Sequence, residues 1–154
     1  MNLLLEQKDV NPDTPDTTYG LTPLSWAAGN GHEGIVRLLL RREDVNPNTP
    51  DTSYGLTPLS WASMNGHEGT VKLLVGRKNV NPDTLDTRYG QTSLSWAAEM
   101  GHERVVKLLL GRKDVNPNSY SKCGETPLTL AAQKGHGRVV ELLLNRLPLH
   151  TPGI

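Results

Sequence analysis

Apolar positions along this chain recur in a compound rhythm. A block reading Leu-Thr-Pro-Leu-Ser-Trp-Ala-Ala (21–28) is followed by Gly-His at 31–32, then by Ile-Val-Arg-Leu-Leu-Leu (35–40), then by a polar, Pro-rich stretch. In the first block Leu24, Ala27 and Ala28 fall on one side of a helix, with Trp26 about 200° away from Leu24. Thr22 is placed to cap this helix, and Pro23 fits its first position, where a missing N–H costs nothing. Gly31 supplies the left-handed turn that ends it. The second apolar run predicts another helix starting near His32 and ending in a basic pair, Arg41–Arg42, suited to a helix C-terminus. Glu33/Arg37, Glu68/Lys72 and Glu103/Lys107 are spaced as i,i+4 ion pairs and mark the solvated face of the second helices. The connector at 44–55 carries Asn-Pro, which forces extended backbone, and closes on a turn glycine.

The whole pattern repeats. Gly20, Gly55, Gly90 and Gly124 share one register, as do His32, His67, His102 and His136. Trp26, Trp61 and Trp96 do likewise, with Leu130 in the fourth place. The units are Asn11–Val45, Asn46–Val80, Asn81–Val115 and a divergent Asn116–Leu149, and the first two agree at 25 of 35 positions. Residues 1–10 align with the end of a unit, so the chain reads as opening inside a repeat of a longer array, and 150–154 form a tail. One helix pair cannot bury both its faces, so successive pairs must stack, and about three or more units are needed for stability. The expected fold is all-α: a solenoid of stacked helix-turn-helix units with extended β-turn fingers.

Composition agrees with a thin, elongated architecture: 36% hydrophobic residues, no Phe, three Trp and four Tyr, and a mean hydropathy of −0.45. Sixteen basic and sixteen acidic groups argue against bulk attraction to nucleic acid or an anionic membrane. A single Cys excludes an internal disulfide framework and, with no signal peptide or spanning segment in view, points to a cytoplasmic location. The neutrality hides a division. Thirteen basic groups lie on second helices or their ends beside six acids, leaving three basic and ten acidic groups on fingers and first helices. A slab acidic along its fingers and groove is therefore expected, matched to a polar or basic protein.

The residues Gly-Leu-Thr-Pro-Leu-Ser-Trp-Ala-Ala, Gly-His and the Leu-Leu helix followed by Asp-Val-Asn closely resemble the ankyrin repeat, over nearly the whole chain. The Trp-containing 35-residue unit further looks like the arrays of fungal NLR-like receptors. The family's usual His is Ser25, Ser60, Ser95 or Thr129 here, so a hydroxyl is expected to replace the imidazole in bonding between units. Ser93 replaces the first-position Pro. The resemblance implies a non-catalytic, cofactor-free module that binds protein partners through finger tips and the concave face. Carried over position by position, the contact sites are Thr18, Tyr19, Leu21, Gly29 and Asn30 in the first unit, and Ser53, Tyr54, Leu56, Met64 and Asn65 in the second. The third gives Arg88, Tyr89, Gln91, Glu99 and Met100; the fourth gives Lys122, Cys123, Glu125, Gln133 and Lys134. Internal comparison agrees, since Thr-Pro-Leu-Ser-Trp-Ala barely changes while positions 29, 64, 99 and 133 read Gly, Met, Glu and Gln.

Several features admit two readings. The Trp ladder could supply aromatic anchors for a partner, or each indole could lie flat against the neighbouring first helix; packing is favoured. Tyr19, Tyr54 and Tyr89 form a second ladder, with packing between adjacent fingers favoured. The four Gly-His histidines stand one repeat apart, too far for a shared metal, and read as structural hydrogen-bonding groups. Asp9-Val-Asn-Pro-Asp13 has calcium-loop spacing, but Thr14 occupies the glycine position and Gly20 the bidentate glutamate position. Ser25 and His32 lack an orienting acid. Cys123 reads as an incidental exposed thiol, and the Thr-Pro pairs at Thr14, Thr49 and Thr151 as turn chemistry. End-to-end self-association is the alternative function, through Leu3–Leu5 and the last Val139–Leu144 helix.

Overall fold

The computed structural model describes residues 10–146. Among them are eight α-helices and no strand: α1 Pro23–Gly29, α2 Glu33–Leu40, α3 Pro58–Met64, α4 Glu68–Val75, α5 Ser93–Met100, α6 Glu103–Leu110, α7 Pro127–Gln133 and α8 Gly137–Arg146. The partial first unit with Leu3–Leu5, the end of the last unit, Thr151 and the tail lie outside the described residues.

The first helices start as expected. Thr22, Thr57, Thr92 and Thr126 are extended, and each hydroxyl accepts the backbone N–H three residues on, satisfying a donor that the helix leaves open. Gly31, Gly66, Gly101 and Gly135 turn the chain with φ between 71° and 78°, so the second helix leaves antiparallel to the first. The odd-numbered helices pack on one another in chain order and the even-numbered ones form the second row. Between the rows, Leu24, Leu59 and Leu94 meet Leu39, Leu74 and Leu109 in a continuous apolar core, sealed by Ala28, Ala62 and Ala98. Small residues there let the stacked helices approach closely, and their small volume explains how a chain without Phe closes a core.

Two sequence expectations change. The serines at 25, 60 and 95 bond mainly to the capping threonine of their own helix, at 3.0–3.2 Å. Of these three serines only Ser60 also bonds across repeats among the described residues, its Oγ lying 3.1 Å from Ser93 Oγ, the residue standing in for proline. The imidazole bonding between units comes instead from the Gly-His histidines. Nε2 of His67, His102 and His136 reaches the carbonyls of Gly29, Met64 and Glu99 in the preceding repeat at 2.9–3.0 Å. A carbonyl accepts, so Nε2 carries the proton in each. The i,i+4 pairs on the second helices are not closed among the described residues; Glu68 instead meets Arg104 of the next repeat at 3.3 Å.

The connectors form their own ladder. Asn11, Asn46, Asn81 and Asn116 each fold back on the backbone N–H two residues ahead. Asp13, Asn48 and Asp83 then accept the backbone N–H of Asn46, Asn81 and Asn116 in the following repeat. Asn48 also donates to the carbonyl of Asn79 at 2.7 Å, a bond that an aspartate cannot make. Burial pushes the Asp83 carboxyl above its ordinary range; the Asn116 N–H opposes this, and Asp114 adds repulsion. Ionising Asp83 therefore works against folding, with a cost absent well below the usual carboxylate range and complete once pH passes the raised value. Asp83→Asn is expected to stabilise the chain at pH 7 by about 0.5 kcal/mol, a value discounted for solvent screening. Thermal melts should show the gain shrinking as pH falls through the Asp83 titration; an unchanged or lower melting temperature at pH 7 would refute this account.

Candidate recognition surface

Each of the first three fingers is built on one aspartate. Oδ1 of Asp16 accepts the N–H groups of Thr18 and Tyr19, both at 2.7 Å, and Oδ2 accepts Leu21 N–H at 2.9 Å and the Trp26 indole N–H at 3.0 Å. Asp51 repeats this with Ser53, Tyr54, Leu56 and Trp61, and Asp86 with Arg88, Tyr89, Gln91 and Trp96. The N–H of Tyr19 and its companions hold the Asp16 carboxyl below its usual range, against the opposing effect of burial. One side chain thus closes the turn and ties it to the first helix.

The two aromatic ladders belong to the same device. Each Tyr stands edge-on to the Trp of its own repeat, with ring centres 6.5, 6.4 and 5.8 Å apart and planes at 71–73°. The indoles are finger-to-helix clamps, and Trp61 also lies against Gly29 of the neighbouring first helix. Each tyrosine thus packs on its own repeat's indole, and Tyr54 is also met by Arg88 of the adjacent finger. The fourth repeat lacks all three members at once, with Ser121, Cys123 and Leu130 in their places. There the Ser121 hydroxyl accepts the N–H of Cys123 and Glu125 at 3.2 Å. The aspartates escaped the sequence reading, although this joint loss was visible in it.

Indole exposure falls along the array, from 46% at Trp26 through half-buried Trp61 to 9% at Trp96. The residue two before each Gly-His grades the later two. Gly29 lies against Trp61, where a Cβ would sit 3.5 Å from that of the indole residue, while Met64 lines the same pocket as Trp96. Three gaps follow. The first, of about 310 Å³, has Tyr19, Trp26, Tyr54 and Trp61 in its walls. The second, of about 280 Å³, has Tyr54, Trp61, Tyr89 and Trp96 in its walls, and Arg88 lines it too. That guanidinium stands 5.6 Å from the Tyr54 ring centre and 5.2 Å from that of Tyr89. Between the third and fourth repeats, Glu99 accepts from Gln91 Nε2 at 3.0 Å and faces Lys134 at 3.8 Å.

Of the contact residues expected from sequence, Thr18, Tyr19, Asn30, Ser53, Asn65, Arg88, Tyr89, Met100, Lys122, Cys123, Gln133 and Lys134 are exposed. Gly29, Tyr54, Met64, Glu99 and Glu125 are half-buried. Leu21, Leu56 and Gln91 are buried and leave the surface set. The residue after each finger glycine turns back beneath the finger, where its N–H meets the aspartate. Asn65 shares the Gly29 carbonyl with His67, and the Lys122 ammonium donates to the Thr87 carbonyl. The expected acidic groove is less open than counting implied. Asp51 and Asp86 are buried in their turns, Asp44 and Asp114 face Arg42 and Arg112 at 2.6 Å, and Asp83 caps the next connector. No group of three or more His, Cys, Asp or Glu side chains is placed to hold a metal among the described residues, and none of their helices is long and apolar enough to cross a membrane.

Stacked helix pairs with turn fingers on one edge define a helical repeat solenoid. A profile of ankyrin repeats, three copies long, matches residues 1–86, 43–121 and 68–151, and the chain belongs to the ankyrin repeat family. No curated protein matches it closely enough to add to this. Ankyrin repeats are generally protein–protein interaction modules and typically not enzymes.

Proposed function

We propose that this chain is a non-catalytic recognition module of a receptor or scaffold that binds a protein partner through its finger tips and concave face. The observation that carries this is variation set within a constant first-helix frame: Gly29, Met64, Glu99 and Gln133 differ at equivalent places, while the capping threonines, turn glycines and core leucines beside them recur. The receptor assignment draws on the resemblance of the Trp-containing unit to fungal receptor arrays. A polar or basic partner is favoured because residues 9–36 and 43–71 contain no Lys or Arg.

A photo-crosslinking residue placed at Thr18 or Asn65, in lysate of the source cells, is expected to give discrete protein adducts. The same residue at Lys72 or Lys107, on the outer helices α4 and α6, should give none. Equal yields from both faces, or adducts from the outer helices alone, would overturn the concave-face reading.

A further inference from the structure

The second gap shows what the first lacks. The two are built from the same positions one repeat apart: Tyr19 and Tyr54 correspond to Tyr54 and Tyr89, and Trp26 and Trp61 to Trp61 and Trp96. In the second, the chain's own Arg88 stands beside both tyrosine rings, and no carboxylate pairs with its guanidinium among the described residues. In the first, the equivalent of Arg88 is Ser53, whose short side chain turns away to donate to the Tyr19 carbonyl at 2.9 Å. Gly29, in place of Met64, leaves the first gap wider. Of its four rings only Tyr54, shared with the second gap, is met by a cation of the chain's own, Arg88; Tyr19, Trp26 and Trp61 have none among the described residues.

The electrostatics select a cation. Tyr and Trp faces are negative and their edges positive, so a guanidinium lying over them is attracted. Both indole N–H groups donate to carboxylates, Trp26 to Asp16 and Trp61 to Asp51. Such a charge-assisted bond pushes electron density into the ring. The absence of Lys and Arg from 9–36 and 43–71 leaves nothing on these two fingers to repel an incoming positive group. A planar guanidinium stacks between rings better than an ammonium does.

From this pairing we infer that the first gap, between Tyr19, Trp26, Tyr54 and Trp61, is a binding site for an arginine side chain of the protein partner, held as Arg88 is held one repeat later. The inference rests on the recognition reading above and gives that surface a specific chemistry. It makes the position before the finger tyrosine a selector: Ser53 opens a gap to a partner's arginine and Arg88 closes one.

The probe is a capped pentapeptide with one central arginine, Gly-Ser-Arg-Ser-Gly, titrated to millimolar concentration against the full chain. The three indole N–H signals in a nitrogen-proton correlation spectrum report where it binds. Saturable shifts are expected at Trp26 and Trp61, with a smaller response at Trp96. Ser53→Arg should fill the gap from within and weaken binding about ten-fold, the loss of one cation–π site of ordinary strength. Ser53→Ala, which loses only the hydroxyl bond, should leave binding within about two-fold. Arg88→Ser should add a saturable response at Trp96. The lysine analogue should bind several-fold more weakly. No saturable shift in the parent chain, undiminished binding in Ser53→Arg, or equal binding of the lysine peptide would overturn the inference. An absent peptide response beside crosslinks from Thr18 and Asn65 removes the arginine site alone; absence of both removes the recognition reading with it.

Discussion

Replacing Asp86 by Ala is expected to lower the unfolding free energy by about 3–5 kcal/mol, the combined cost of leaving several part-buried and buried N–H donors without their acceptor. The aspartate is 3% exposed and accepts four N–H groups, three from the finger backbone and one from Trp96. Alanine leaves those donors aimed at an empty place, with Trp96 itself only 9% exposed and shielded from replacement water. At Asp16, beside the far more exposed Trp26, the same change should cost much less, because water can take up the freed donors. The fourth repeat supplies the compensating pair, since Ser121 and Leu130 stand where Asp86 and Trp96 would. Trp96→Leu alone should cost about 1–2 kcal/mol as a volume change. The double variant Asp86→Ser/Trp96→Leu should cost clearly less than its two single changes added together. Urea denaturation of the four proteins measures this. Additive losses would show that the carboxylate and the indole are not one unit.

What the sequence revealed and what it hid divide along physical lines. Thr22 and Gly31 act within a few residues of themselves, on groups that any short helix leaves open, so their roles can be read from spacing alone. Stacking followed from periodicity, because one helix pair cannot cover its own apolar face. The role of Asp16, Asp51 and Asp86 depends on a closure between finger and helix, with the Trp partner ten residues away; helical or strand periodicity carries no sign of it. Leu21 and Leu56 look contact-competent when counted from the glycine, yet the finger folds back over them. At Gln91 a polar side chain at the same buried place disguised the pattern further. Charge counting could not show that several of the acids are already engaged by N–H groups or arginines. Arg88 stood among the expected contacts as one more variable residue. Its seat between Tyr54 and Tyr89 emerges only when consecutive fingers are brought side by side.

Gly66→Ala should destabilise the array by about 3 kcal/mol, and the same change at Gly135 by only about 1 kcal/mol. Both glycines are left-handed, with φ of 74° and 78°, so a side chain costs each a similar backbone term. They differ in what a Cβ would meet. At Gly66 it would fall 2.6 Å from Nδ1 and Cε1 of His102; at Gly135 there is nothing within 4 Å. The His102 ring cannot withdraw freely, because its Nε2 donates to the Met64 carbonyl at 3.0 Å. Moving it leaves that carbonyl short of a partner and loosens the contact of the third repeat on the second, adding the loss of a part-buried hydrogen bond to the backbone cost. In a solenoid each repeat is held chiefly by its neighbours, so a weakened middle interface should also reduce cooperativity and lower the denaturant slope. Gly135→Ala should shift the midpoint slightly and leave the slope unchanged. Native-state amide exchange adds a positional test, with faster exchange expected in α3 and α5 of Gly66→Ala. Equal losses for the two variants would mean that these glycines serve only the turn, and that the histidine ladder adds nothing to the stacking of one repeat on the next.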